Sequence, residues 1–180
     1  QKNGKNVYEI IYNQAGETPA GNLGTMLVPY FQGANGPFWD LNARGIFLGL
    51  TNMTGRPQMI RAIMEGLAYE SRREAELMEE GTSTKVERIM MYGGSAKSDY
   101  WNQTFSDVFN RPLSVPHTAE TTSLGAAISA AVATGLYSDF KSCVKGMVTI
   151  EREYKPNADT AVKYEKFYRN VYLNIYDRLA

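Results

Sequence analysis

The spacing of apolar positions along this chain changes several times, and each change predicts an element. Val7 to Tyr12 (VYEIIY), rich in β-branched and aromatic residues, predicts a strand. A turn-rich stretch, Asn13 to Gly24, precedes a second apolar run, Thr25 to Phe31 (TMLVPYF), where Pro29 marks an edge or an end. Gln32 to Arg44, punctuated by Gly33, Gly36 and Pro37, predicts a loop, and Gly45 to Thr51 (GIFLGLT) a short buried strand or turn. From Pro57 to Glu80 the period lengthens: Ile60, Ile63, Met64, Leu67, Ala68, Ala75 and Met78 share one helical face, and Gly81 stands where a C-terminal cap belongs. Val86 to Tyr92 (VERIMMY) predicts a strand that stops at Gly93-Gly94. A helix from Asp99 to Phe109 turns Trp101, Phe105 and Val108 inward, and Arg111 to Val115 reads as a return strand. Thr122 or Ser123 caps a helix from Leu124 to Thr134, ended by Gly135, whose small residues suit close packing on a sheet. Helices from Asp139 to Gly146 and from Asn157 to Leu179 follow, the last with Tyr164, Tyr168, Val171, Tyr172, Ile175 and Leu179 inward. Strands alternating with helices predict an α/β layer architecture.

Composition narrows the class. A chain of 180 residues fits one large domain or a domain and a half, and buries about 70% of the surface its unfolded form exposes. Nineteen basic and 19 acidic residues balance to zero, so charge draws the chain to neither nucleic acid nor an anionic membrane. No apolar run reaches the length of a membrane span and no signal peptide is evident. A single cysteine, Cys143, excludes an internal disulfide and reads as a half-buried structural thiol, in keeping with a reducing, cytoplasmic setting. No Cys/His cluster suggests a metal site. The polar start, Gln1 to Asn6, is expected to belong to a piece of a longer protein.

The stretch with chemical content runs from Ile89 to Val132. It reads as strand, Gly93-Gly94, a small polar loop (Ser95, Ala96, Lys97, Ser98), then helix. This order sets backbone amides and a helix N-terminus at the carboxyl end of a strand, where α/β sheets bind ligands. Glycines there let a planar or anionic ligand reach the backbone. Alone, Gly-Gly before a helix marks a tight turn more often than a nucleotide site, and Ala96 before Lys97-Ser98 excludes a P-loop. Lys97 reads as a solvated loop tip, Tyr92 as either the last core residue of its strand or a residue lining a pocket, and His117 as an exposed loop residue. Glu120 complements a helix N-terminus. Arg61 and Glu65 have salt-bridge spacing. Asp40 and Arg44 either pair locally or face a sugar.

The run GGSAKSDYWNQTFSDVFNRPLSVP, then Glu120, SLGAA and an Ala-rich helix ending in GLY, resembles the C-terminal domain of FGGY carbohydrate kinases, most nearly the xylulokinases. GPFWDLNARGIFLGLT, RAIMEGLAYESRREAELME and the closing EREYKPN extend the resemblance over about Val28 to Leu179. It implies a ribonuclease-H-like, actin-like ATPase lobe with a mixed sheet flanked by helices. Residues 1–180 are then a single, partial nucleotide-binding domain without the N-terminal catalytic lobe. The parent would use ATP and Mg²⁺ to phosphorylate a pentulose-type sugar, xylulose favoured, with fuculose, ribulose, gluconate, glycerol and autoinducer-2 as alternatives. A non-catalytic actin-like domain, or a plain α/β interaction domain whose Gly-Gly is only a turn, are the competing readings.

By the same resemblance Gly94 lies against the nucleotide, Ser98 reaches the adenine and Gly93 shapes the turn. Gly125 and Ala126 keep a helix start small beside the pocket. Tyr92 departs from the pattern, standing where many members have a first glycine. The family's phosphate loop and catalytic-base stretch have no counterpart here, so no catalytic residue is expected in this chain. Alone it should be inactive and bind ATP weakly. The face left bare by the missing lobe is expected to be apolar enough for self-association as a homodimer.

Overall fold

The helix α2, Arg56–Thr82, is the spine of the molecule. In this computed structural model, which describes residues 7–118 and 120–179, it packs against α1 (Val7–Gly16), the strand β1 (Met26–Val28) and α3 (Asp99–Phe109). Gln58 starts it by accepting the Gly55 amide on Oε1 at 2.9 Å, and Pro57 in the first turn sacrifices no intrahelical bond. The helix passes Gly81 and ends at Ser83, which takes the left-handed conformation expected of the glycine (φ 53°). The Thr82 hydroxyl, donating to Met78 O at 2.7 Å, carries the last turn beyond Gly81.

The buried face of α2 is more polar than its spacing predicts. Met64, Ala68 and Ala75 are buried as expected, but Ile63 and Met78 are exposed while Arg61, Glu65, Arg72 and Arg73 are buried. Tyrosines from the C-terminal segment account for this. The Tyr164, Tyr168 and Tyr172 hydroxyls donate to Glu65, Glu76 and Glu70 at 2.9, 3.0 and 2.6 Å. Arg61 is bound by Glu65 Oε1 at 2.6 Å and by the Tyr164 hydroxyl at 2.8 Å, and also donates to Thr18 O and the Tyr100 hydroxyl. Arg72 lies over the Tyr168 ring at 4.2 Å and Arg73 over Phe38 at 4.6 Å, contacts that favour a cation in a partly dry setting.

Three elements depart from the sequence reading. Val7–Gly16 is helical, not a strand: Ala15 is buried and the helix lies along α2, so tertiary contact overrides β propensity. The C-terminal helix divides at Val171 (φ −120°, ψ −65°) into α6, Ala158–Asn170, a 3₁₀ turn, and α7, Ile175–Leu179, which leaves Val171 40% exposed. The Leu179 side chain and the polar stretch Gln1–Asn6 lie outside the described residues. Of Val86–Tyr92 only Ile89–Met90 pairs, as β3.

The sheet is mixed, in the order β3-β4-β5. β4 (Leu113–Pro116) runs parallel to β3 and antiparallel to β5 (Ile150–Tyr154), with Leu113 opposite Ile89 and Tyr154. Separately, β1 pairs antiparallel with β2 (Ile46–Leu48). Between β4 and β5 the chain forms α4 (Thr121–Ala133) and α5 (Phe140–Met147). α4 starts at Thr121, so Thr122 and Ser123 lie inside its first turn instead of capping it, and Glu120 occupies the cap position without a side-chain hydrogen bond. The small residues of α4 do not lie on the sheet. Most of them are exposed, and the helix packs against α5 through Ile128, Ala131 and a fully buried Cys143.

Two substitutions test this core. Arg61→Met strands the Glu65 carboxylate, and urea denaturation should show a loss of about 3–5 kcal/mol. At Gly66 a Cβ would stand 2.3 Å from Leu27 O, so Gly66→Ala should cost about 1–3 kcal/mol by forcing α2 off β1, read as a lowered thermal midpoint.

Candidate functional site

Chain direction brings the candidate residues together after β3. Its strand ends at Met90, Gly93 turns the backbone in the left-handed region (φ 80°), and a 3₁₀ turn, Ser95–Lys97, leads into α3. At Gly93 and at Gly94 an added Cβ would meet no heavy atom within 4 Å, so space above the loop is open. Ser98 caps α3: its Oγ accepts the Trp101 amide at 3.2 Å. That bond uses a lone pair and leaves the hydroxyl proton free to donate elsewhere.

A clamp the sequence reading did not find holds the loop in place. Ala96 O accepts from Asn102 Nδ2 at 2.9 Å and from Arg152 Nη2 at 2.7 Å. Arg152 also binds Asp99 at 2.7 Å, and the Tyr154 hydroxyl donates to the same carboxylate oxygen. These bonds, the Tyr154 hydroxyl first, hold the Asp99 carboxyl below its ordinary value. The signal for the clamp was the alternation in IEREY, which puts Arg152 and Tyr154 on one face of a strand.

Two clefts flank this loop. The smaller, about 510 Å³, sits at the carboxyl ends of β3 and β4 and is lined by Tyr92, Gly93, Lys97, His117 and Arg152 among others. The larger, about 970 Å³, opens between α1 and the start of α3 and is lined by Gly94, Ser98, Lys97, Tyr12 and Trp101 among others. Gly93, Gly94 and Ser98 therefore share one loop. Gly125 and Ala126 do not join them: both are exposed on α4, whose packing is against α5, and they line neither cleft. Tyr92 is 57% exposed at the rim of the smaller cleft, not a core residue, and His117 is exposed as expected. Asp40 and Arg44 form no pair. Asp40 accepts from the Asn42 amide and the Tyr176 hydroxyl, and Arg44 donates to Leu41 O and Ala43 O. Among the described residues no group of three or more His, Cys, Asp or Glu side chains comes together to hold a metal, and no helix is long and apolar enough to cross a membrane.

A mixed sheet flanked by helices, with a glycine turn at a strand's carboxyl end, places this molecule among the actin-like, ribonuclease-H-like ATPase lobes. The model of the C-terminal domain of the FGGY family of carbohydrate kinases matches residues 6–134, and the chain belongs to that family. Glycerol kinase 2 of Thermotoga maritima is 34% identical over 139 residues, which are 77% of this chain and 28% of that protein. The ligand-bound xylulose kinase of Lactobacillus acidophilus superposes with a TM-score of 0.81 at 30% identity, over 96% of this chain and 36% of that one. Plasmodium falciparum glycerol kinase with ADP shares the fold, with a TM-score of 0.77 at 23% identity, over 92% of this chain and 33% of that one. The chain thus spans under two fifths of the length of each. The nearness to xylulokinases in particular is not favoured, since the glycerol kinase match is at least as close.

Because Asp99 has a depressed folded value, the clamp is complete above the ordinary carboxylate pKa of about 3.9 and is lost as pH falls below it. Amide resonances of Ala96 to Ser98 should titrate in that acid range, and in Asp99→Asn they should stay flat.

Proposed function

We propose that this chain is the nucleotide-binding lobe of an ATP-dependent carbohydrate kinase. The observation that carries the reading is the single loop holding Gly93, Gly94 and Ser98, open over both glycines and fixed from below by Arg152 and Asn102. The adenosine half of the nucleotide fits the larger cleft, because Gly94 and Ser98 both line it. Gly94 admits the ligand to the backbone, and Ser98 offers its remaining proton to a ring nitrogen while it caps α3. Gly125 and Ala126 enter the reading as small, outward positions that leave room for preceding residues of a longer parent.

In such an enzyme the transferred group is the γ-phosphoryl of ATP with Mg²⁺, and catalysis consists mainly of positioning and charge stabilisation. This chain's residues would serve the first of these, by seating the base and ribose beside Gly94 and Ser98. The base that activates the sugar hydroxyl, and the phosphate-binding residues, are assigned to the remainder of the parent. The acceptor we assign is a small polyol or sugar. A glycerol kinase and a xylulose kinase support that class alike, and neither singles out xylulose.

The test is an NMR titration with Mg·ADP. Shifts should concentrate at Gly93, Gly94, Ser98 and the first turn of α3, with millimolar affinity. Shifts elsewhere, with none at these residues, would reject the site.

A further inference from the structure

The aromatic residues divide into two sets. Tyr164, Tyr168 and Tyr172 are buried and bind the acidic groups of α2 through their hydroxyls. Tyr8, Tyr12 and Trp101 line the larger cleft instead, together with Gly94 and Ser98. Tyr8 and Tyr12, one helical turn apart on α1, stack with centroids 6.4 Å apart and planes 28° apart. Tyr12 meets Trp101 edge to face, at 6.1 Å and 67°. Trp101 in turn stacks on Phe105 at 6.1 Å, and Phe105 is buried in the core. A ladder of rings thus runs from the core to the mouth of the cleft, and its inner end is buried.

Position and chemistry agree on a use for it. Trp101 takes its place from the same first turn that Ser98 caps, through the Trp101 amide itself. The hydroxyl assigned to read the base and the ring that bounds the cleft are therefore fixed to one another. A flat, weakly polar ligand seated against Gly94 in this cleft has these rings among its walls. An interface serving only to pack α1 on α3 would be closed over. Here both Tyr12 and Trp101 are only half-buried and border open space of about 970 Å³, within the usual size range for a small-molecule site.

We propose that Tyr12 and Trp101 are the stacking platform for a purine base in this cleft, with Tyr8 extending it at the mouth. The assignment rests on the nucleotide reading above and adds what that reading lacks, the residues that recognise the base by its π-face. A platform of this kind favours purines over pyrimidines by stacking area and discriminates little between adenine and guanine. It also makes α1, an element read from sequence as a strand, part of the ligand site.

The experiment uses the 180-residue chain in a Trp39→Phe background, so that Trp101 is the sole tryptophan. Adenosine should quench Trp101 fluorescence saturably, and ribose 5-phosphate, which has no base, should not. Tyr12→Leu should weaken Mg·ADP binding about tenfold, Tyr12→Phe should restore it, and thermal midpoints should stay level across the three. Gly94→Val reports separately on the nucleotide site. If Gly94→Val abolishes Mg·ADP binding while Tyr12→Leu leaves it unchanged, the platform is wrong and the nucleotide site stands. If adenosine neither binds nor quenches at millimolar concentration, both are overturned.

Discussion

The fold depends on how α2 buries charge. Four ionic side chains, Arg61, Glu65, Arg72 and Arg73, enter the interior from one helix, and the desolvation penalty of such groups is met only when partners surround them. Those partners come from every direction: Thr18 and Ala15 backbone carbonyls, Tyr100 from α3, Tyr164 from α6. The requirement to satisfy Arg61 therefore fixes where α1, α3 and α6 sit. Burial also raises the Tyr100 hydroxyl to about 12, which keeps it neutral beside the guanidinium.

The same constraint reaches the candidate site. α3 is held at its first turn by Tyr100 on Arg61, and on its far side by Asp107, which accepts the Asn157 amide at 2.7 Å. With α3 fixed at two places, its N-terminus and the Gly93–Ser98 loop ahead of it have a defined position. Arg152 and Tyr154 then set the loop's height through Ala96 O and Asp99. Site geometry is thus inherited from core electrostatics through one short helix.

How much of this was legible in the sequence follows from the kind of signal each part carries. α3, Asp99–Phe109, was read with its true bounds because Trp101, Phe105 and Val108 keep an amphipathic spacing there. The loop at Gly93-Gly94 was legible because a glycine pair punctuates a strand and a helix. The first segment misled because VYEIIY has strand composition, whereas its fate is decided by α2, far along the chain. The buried face of α2 misled for a related reason: hydrophobic periodicity cannot score an arginine whose partners are tyrosines a hundred residues away. The Arg61–Glu65 pair itself was legible, since its partners are one turn apart. Gly125 and Ala126 came from family resemblance, and both lie on the exposed side of α4.

The connection between β4 and β5 has a consequence for variation in this lobe. The two strands are antiparallel neighbours, with Pro116 opposite Ile150, so α4 and α5 together amount to an elaborate hairpin loop. Loop closure depends only logarithmically on loop length, and the pair carries its own small apolar centre at Cys143. This module can therefore lengthen, shorten or turn over its outward surface across generations while the strands that frame it, and Arg152 on one of them, keep their register.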